Sequence, residues 1–122
     1  MKKLMIFGDS IIKGVTYNGQ SYHLCQEHDF DTLRAQGVTV ENNAKMGATI
    51  DAGLKQLDRK LGTCDGDTTV LFCFGGNDCD YDWKAISEDP DGEHLPHTPQ
   101  ERVVDDYCTA IRAARDAGAK VA

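Results

Sequence analysis

Short apolar runs alternate with helical segments along this chain, and this alternation constrains its fold more than any other feature. Residues 69–74 are nearly all apolar, as expected of a central parallel strand that is covered on both faces. An earlier run, residues 4–7, stops abruptly at Gly8, and residues 38–42 alternate and are β-branched. We therefore predict three strands here, and a fourth that begins at residues 119–122.

Helical patterns fill the intervals between these strands. A helical turn is predicted for residues 10–14, and a short helix for residues 29–36, closed by Gly37, which accepts a left-handed conformation. A longer helix is predicted after Thr49 as a candidate N-cap. Its apolar residues recur at helical spacing: Ile50, Leu54, Leu57 and Leu61.

The last helix has a strong start signal in Thr98-Pro99-Gln100-Glu101. Threonine is predicted to cap it, proline to occupy its first position, and glutamate to complete a capping box. Gly118 ends it, and its predicted buried stripe is Val104, Tyr107, Cys108, Ile111 and Ala114. Residues 16–21, which contain Asn18-Gly19, are predicted to be a loop or tight turn, and the long polar segment 80–97 is predicted to be a loop.

The resulting order, β-α-β-α-β-α-β, predicts an α/β fold with a parallel sheet between two layers of helices and right-handed crossovers. We expect the strand order 2-1-3-4. At 122 residues the chain corresponds to a single domain, residues 1–122.

Composition excludes several classes of function. The net charge of −7 argues against a nucleic-acid partner, because phosphate binding needs clustered lysine and arginine. The apolar runs are far too short to span a bilayer. Only four apolar residues follow the basic start before Gly8, so no signal peptide fits and a cytoplasmic location is expected.

The cysteines and histidines give no indication of a disulfide framework or a metal site. The five cysteines are odd in number and contain no Cys-x-x-Cys pair, which favours free thiols. Neither His23, Cys25 and His28 nor the pair His94 and His97 has a familiar zinc spacing. We expect no metal and no organic cofactor.

Three polar motifs follow the predicted strands. They are Gly8-Asp9-Ser10, the segment from Asn43 to Gly47, and Gly75-Gly76-Asn77-Asp78. A serine between a strand and a helix either exposes its hydroxyl as a nucleophile or simply caps the helix. Likewise, a loop glycine and a turn asparagine are either ordinary turn residues or donors to an oxyanion.

Together these motifs resemble the SGNH (GDSL) hydrolase family of serine esterases and lipases. The resemblance implies that Ser10 is the nucleophile and that Ser10, Gly47 and Asn77 form the oxyanion hole. It also implies supporting roles for Asp9 and Asp78, which hold their loops by hydrogen bonds. The family fold is flavodoxin-like, with about five parallel strands. On this resemblance we expect a chain truncated at the fourth strand, without the family's last strand and its Asp-x-x-His block.

The general base is the part of the family pattern that this sequence does not supply in the expected place. Asp91-Gly92-Glu93-His94 spells Asp-x-x-His, but it precedes the last helix, whereas the family's catalytic pair lies well downstream. We therefore assign His94 and Trp83 to a loop near the site that contacts substrate. Trp83 and Tyr81 either line an acyl or sugar pocket or pack the loop.

The sequence accordingly predicts a serine hydrolase of small acyl esters, with O-acetylated carbohydrate as one candidate substrate. The chain alone is expected to be weakly active or inactive, and an unpaired sheet edge is expected to favour a homo-oligomer. The alternative is a flavodoxin-like binding module that holds an anion or nucleotide at the helix after Gly8-Asp9-Ser10. The absence of a glycine-rich phosphate loop and the acidic composition disfavour that alternative.

Overall fold

The computed structural model describes residues 1–25 and 30–122, which form six strands and five helices. In chain order the elements are β1 (Lys3–Gly8), α1 (Ser10–Lys13), β2 (Val15–Tyr17), β3 (Tyr22–Leu24), α2 (Asp31–Ala35), β4 (Thr39–Asn42), α3 (Ile50–Asp58), β5 (Thr68–Cys73), α4 (Trp83–Glu88), α5 (Gln100–Asp116) and β6 (Lys120–Val121). A single 3₁₀ turn, Leu61–Thr63, follows α3.

Four of the strands form one parallel sheet in the order β4-β1-β5-β6. This arrangement confirms the predicted order, since β4, β5 and β6 are the second, third and fourth strands expected from the sequence. The pairing of β1 with β5 runs from Lys3 opposite Thr68 to Gly8 opposite Cys73. All loops that leave the carboxyl ends of these strands therefore lie along one edge of the sheet.

The side chains of β1 alternate between two cores on opposite faces of the sheet. Met5 and Phe7 pack with Leu57 of α3 and with Ala110 and Ala114 of α5. The other face is covered by α1 and α2, and its buried residues are Leu4, Ile6 and Val38. A strand that is buried on both faces is what the continuous apolar run predicted, and the three-layer α/β fold is confirmed.

Two short elements were missed by the sequence analysis. Residues 16–21 were predicted as a loop or tight turn, and a turn is present, with the side-chain oxygen of Asn18 accepting hydrogen bonds from the N–H groups of Gln20 and Ser21. The strands on either side of it, β2 and β3, which form an antiparallel hairpin, were not predicted. Segment 80–97 contains α4, whose N-terminus is capped by the carboxylate of Asp82. The helix predicted for residues 29–36 is present as α2, and Asp29 lies outside the described residues.

The side-chain caps predicted for α3 and α5 are absent, and part of the predicted buried face of α5 is exposed. The side chain of Thr49 makes no capping bond to α3, which ends at Asp58 rather than Leu61. No side chain caps α5, which begins at Gln100, so the predicted capping box is absent. Val104 is 54% exposed, because α5 packs through its smaller residues, Ala110 and Ala114. Within the described ranges, no helix is both long enough and apolar enough to cross a bilayer.

Candidate active site

The three sequence motifs lie on loops that leave neighbouring strands at the same edge of the sheet. Ser10 begins α1 directly after β1, while Gly47 follows β4 and Asn77 follows β5. Backbone bonds join the loops: the N–H of Lys45 donates to the carbonyl of Gly8 at 3.0 Å, and that of Asp9 donates to the carbonyl of Cys73 at 3.2 Å. The structure therefore brings the three motifs to one edge.

Asp9 holds the start of α1 in place. Its carboxylate accepts a hydrogen bond from the N–H of Ile11 at 2.9 Å and is almost fully buried. A Cβ atom on Gly76 would lie 3.5 Å from Oδ2 of Asp9, so the first motif packs directly against the Gly-Gly-Asn-Asp turn.

Ser10 presents an uncommitted hydroxyl at the start of α1. Its side chain is partly exposed, and neither its hydroxyl nor its backbone N–H has a hydrogen-bond partner within residues 1–25 and 30–122. The capping function that the alternative interpretation gave to Ser10 belongs instead to Asp9. Chemically, a free serine hydroxyl beside a free N–H can attack an electrophile and stabilise the developing negative charge.

Gly47 lies at an exposed bend in the loop after β4, with a φ of 71°. This left-handed conformation is strained for residues with a side chain, although a Cβ atom there would meet no neighbour. The N–H of Gly47 donates to no group in the described part of the chain. The backbone therefore offers a second free donor at this edge of the sheet.

Asn77 links the turn after β5 to the loop that contains Gly47. Its side-chain nitrogen donates to the carbonyl of Ala48 at 2.9 Å, which fixes the plane of the amide. A primary amide has two N–H donors, and this bond uses one of them. The second remains available to a ligand atom.

The resemblance gave Asp78 a supporting role in its own loop, and in the structure its carboxylate bonds to the start of α3. It is completely buried, and its carboxylate accepts the N–H of Ile50 at 3.1 Å, the first residue of α3. Its own carbonyl accepts the N–H of Thr98 at 2.9 Å. Asp78 thus caps α3 in place of Thr49. Its bond to Thr98 also joins the two ends of the long loop that precedes α5.

Tyr107 and Gly53 both contact Phe74, just before the Gly-Gly-Asn-Asp turn, and the sequence did not indicate these contacts. The hydroxyl of Tyr107 accepts the N–H of Phe74 at 2.7 Å and donates to the carbonyl of Phe74 at 2.9 Å. Burial raises the pKa of Tyr107, and the hydrogen bond donated by the backbone N–H of Phe74 partly opposes this shift. The ring of Phe74 fills the space beside Gly53, where a Cβ atom would lie 2.6 Å from Cε2.

A cleft of about 430 Å³ opens beside Gly47 and Asn77, and Ser10 is not among the residues that line it. Gly47, Thr49 and Asn77 form one wall, and the long loop contributes Tyr81 and His97 among others. Its volume falls within the range of small-molecule sites, roughly 300–1,000 Å³. Trp83, which was expected to contact substrate, is 65% exposed, donates its indole N–H to the carboxylate of Asp80 at 2.8 Å, and does not line this cleft.

No histidine among the described residues has the environment of a catalytic base. A ring nitrogen of His94 lies 2.6 Å from the carbonyl oxygen of Asp89 rather than against the carboxylate of Asp91, and His94 is outside the cleft lining. The rings of His97 and His23 contact the hydroxyls of Thr98 and Thr16, respectively.

The metal-ligand candidates are likewise dispersed. Of the trio weighed from the sequence, His28 lies outside the described residues, and the ring of His23 is bonded within the β2–β3 hairpin. Across residues 1–25 and 30–122, no three His, Cys, Asp or Glu side chains come close enough to hold a metal ion.

Comparison with known proteins identifies the fold. No protein-family model and no curated protein matches the sequence. Among solved structures, the chain is similar to TesA, with a TM-score of 0.63 and 21% identity over 98% of this chain and 57% of that one. It is also similar to a member of the lipolytic protein G-D-S-L family from Veillonella parvula, with a TM-score of 0.56 and 17% identity over 95% of this chain and 54% of that one.

These similarities show that the chain has the SGNH/GDSL-type hydrolase fold. They confirm the fold that the three motifs led us to expect. The chain spans little more than half the length of these two solved structures. At these identities the likeness defines the fold alone, and activity rests on the arrangement of the chain's own residues.

Proposed function

We propose that this chain belongs to a serine hydrolase that cleaves small acyl esters. The observation that carries the proposal is the uncommitted hydroxyl of Ser10 at the start of α1, on the same sheet edge as Gly47 and Asn77. The SGNH/GDSL-type fold supports the same reaction class. O-acetylated carbohydrate is one substrate that the polar cleft would accept.

The mechanism begins with attack of Ser10 Oγ on the ester carbonyl carbon. The proton of the hydroxyl passes to a general base, and the carbonyl oxygen acquires the negative charge of the tetrahedral intermediate. Collapse of the intermediate breaks the bond to the alcohol, which leaves with a proton. Water then hydrolyses the acyl-serine by the same steps.

Three donors are assigned to the oxyanion. They are the backbone N–H groups of Ser10 and Gly47 and the second side-chain N–H of Asn77. Each lacks a partner in the described part of the chain, and the bond from Asn77 to Ala48 restricts the movement of its amide. Donors that are held in place before the reaction are the ones that lower the barrier most.

The base is assigned to a histidine outside these 122 residues. His94 and His97 bond to a backbone carbonyl and a hydroxyl, and neither is oriented by a carboxylate. An imidazole without such a partner is poorly fixed in the tautomer that accepts the serine proton. We assign His97, Tyr81 and the neighbouring loop to the substrate cleft instead.

Hydrolysis of a short-chain nitrophenyl ester by the complete protein tests the proposal. Turnover that disappears in Ser10→Ala and persists in Ser87→Ala is the expected result, and turnover that persists in Ser10→Ala contradicts it. The polypeptide of residues 1–122 should hydrolyse the ester only weakly. Robust Ser10-dependent turnover by that polypeptide, lost in His94→Ala, would make His94 the base and overturn our assignment.

A further inference from the structure

A second cleft, of about 340 Å³, lies beside the edge strand β4 and has a lining unlike that of the first. Four of its side chains are cationic: Lys13, Lys45, Arg59 and Lys60. The rest are three amides and one alanine, and no aspartate or glutamate is among the described residues that line it. Such a lining is unexpected in a chain whose net charge is −7.

Three of the four cations have no carboxylate partner in the part of the chain that the structure describes. Lys60 pairs with Glu41 at 3.4 Å, whereas Lys13 donates only to the backbone carbonyl of Ala44, at 3.1 Å. The side chains of Lys45 and Arg59 have neither an ion pair nor a hydrogen bond within residues 1–25 and 30–122.

Several other surface cations are paired with carboxylates, although Arg112, Arg115 and Lys120 have no ion pair among the described residues. Lys55 lies 2.7 Å from Asp51, and Arg102 lies 3.1 Å from Asp106. Like charges that face one cleft without counter-charges repel each other, and a bound anion removes that repulsion. Guanidinium and ammonium groups bond phosphate and carboxylate oxygens strongly, and arginine does so with two parallel N–H donors.

The cleft adjoins the candidate active site through two of its lysines. Lys13 is three residues after Ser10 in α1, about 5 Å along the helix axis. Lys45 is two residues before Gly47, and its backbone N–H bonds to the carbonyl of Gly8.

We propose that this cleft binds an anionic group, a phosphate or a carboxylate, through the side chains of Lys13, Lys45 and Arg59. The group is part of a small molecule, because a volume of about 340 Å³ is at the lower end of ligand sites. Because Lys13 and Lys45 are close along the chain to Ser10 and Gly47, we assign this group to the ester substrate. This last step rests on the proposed hydrolase function, whereas the anion site itself does not.

Calorimetric titration of the complete protein with pyrophosphate and with citrate, at about 0.15 M ionic strength, tests the site directly. Both probes are small multivalent anions, and the tighter one distinguishes a phosphate ligand from a carboxylate ligand. The double variant Lys45→Gln/Arg59→Gln should bind the preferred probe at least about tenfold more weakly. Both side chains are exposed, so the variant should fold as the parent protein does.

The matched control is Lys84→Gln/Arg112→Gln, which removes the same two charges from exposed positions outside the cleft. It should bind within about twofold of the parent. Equal weakening in both double variants, or no binding of either probe by the parent at about 10 mM, would overturn the proposal. Ser10→Ala should retain the affinity, so that loss of hydrolysis and loss of anion binding are separate results.

Discussion

The carboxylate of Asp78 accepts the backbone N–H of Ile50 at 3.1 Å, with both residues fully buried. One of these residues ends the Gly-Gly-Asn-Asp turn, and the other begins α3. A helix N-terminus has free N–H groups and a partial positive charge, both of which a buried carboxylate satisfies. Asp78, the residue after Asn77, therefore holds the turn that carries Asn77 against α3.

Asp78→Ala should lower the free energy of unfolding by about 2–3 kcal/mol, because it leaves the N–H of Ile50 buried and unpaired. Urea denaturation measures the change. Asp105→Ala, which removes an exposed carboxylate from α5, should shift the free energy by no more than about 0.5 kcal/mol. Equal shifts in the two variants would show that the contact between Asp78 and Ile50 contributes little.

Gly53→Ala should destabilise the fold, although alanine is the better helix former. The added methyl group would meet the ring of Phe74, 2.6 Å from Cε2, at the end of β5. Overpacking of this kind costs about 1–3 kcal/mol. The control is Gly62→Ala, where a Cβ atom meets nothing within 4 Å and φ is not positive. A Gly53→Ala variant as stable as Gly62→Ala would mean that Phe74 moves aside without cost.

The strands and their order were predictable from the sequence, because a strand that is buried on both faces is a nearly continuous run of apolar residues. Residues 4–7 are all apolar and residues 69–74 nearly all apolar, since neither strand has a face in water. The caps were not predictable in the same way. Thr49 is adjacent to α3 in sequence, but the carboxylate that caps the helix comes from Asp78, 28 residues further along.

In the candidate site, too, residues marked by the local sequence were predictable, and residues whose role depends on distant contacts were not. Ser10, Gly47 and Asn77 were expected at one edge because each follows a strand of a parallel sheet, whereas their roles were implied by the resemblance to the SGNH family. Tyr107 and Gly53 were missed, since their importance depends on contacts with Phe74 that no spacing indicates. Val104 was assigned to the buried stripe of α5 by its apolarity, and only tertiary packing shows that it is exposed.

Stability should depend on pH through Glu41. Its carboxylate lies 3.0 Å from Lys3 and 3.4 Å from Lys60, and the hydrogen bond from Lys3 lowers the pKa of Glu41 against a partial desolvation that raises it. Because the folded-state pKa is the lower one, this stabilisation is present above the unfolded value, about 4.5, and is lost as the pH falls through the folded pKa.

Glu41→Gln should therefore reduce the unfolding free energy most at neutral pH, and the difference from the parent should shrink below about pH 4.5. Urea titrations between pH 7 and pH 3 measure it. In a Lys3→Met background the same substitution should show a weaker pH dependence, because the principal partner is gone. A difference that stays constant across this range would contradict the role given to Lys3.

Asn77→Ala should lower kcat of ester hydrolysis by about a hundredfold with little change in KM, because an oxyanion donor acts mainly in the transition state. Steady-state kinetics of the complete protein with a nitrophenyl ester measure both constants. Asn18→Ala, in the turn of the β2–β3 hairpin, should leave both unchanged. Unchanged turnover in Asn77→Ala would remove Asn77 from the mechanism.

Fluorophosphonate labelling of the complete protein tests the central claim most directly, because the reagent reacts with a serine that is activated as a nucleophile. Oγ attacks phosphorus and fluoride leaves, so the adduct can be located by peptide mass spectrometry. The chain contains three serines, which makes Ser21 and Ser87 internal controls. The account predicts one adduct, on Ser10, that is absent in Ser10→Ala and undiminished in Ser87→Ala. A protein that hydrolyses esters while Ser10 stays unlabelled, or labelling that survives Ser10→Ala, would contradict it.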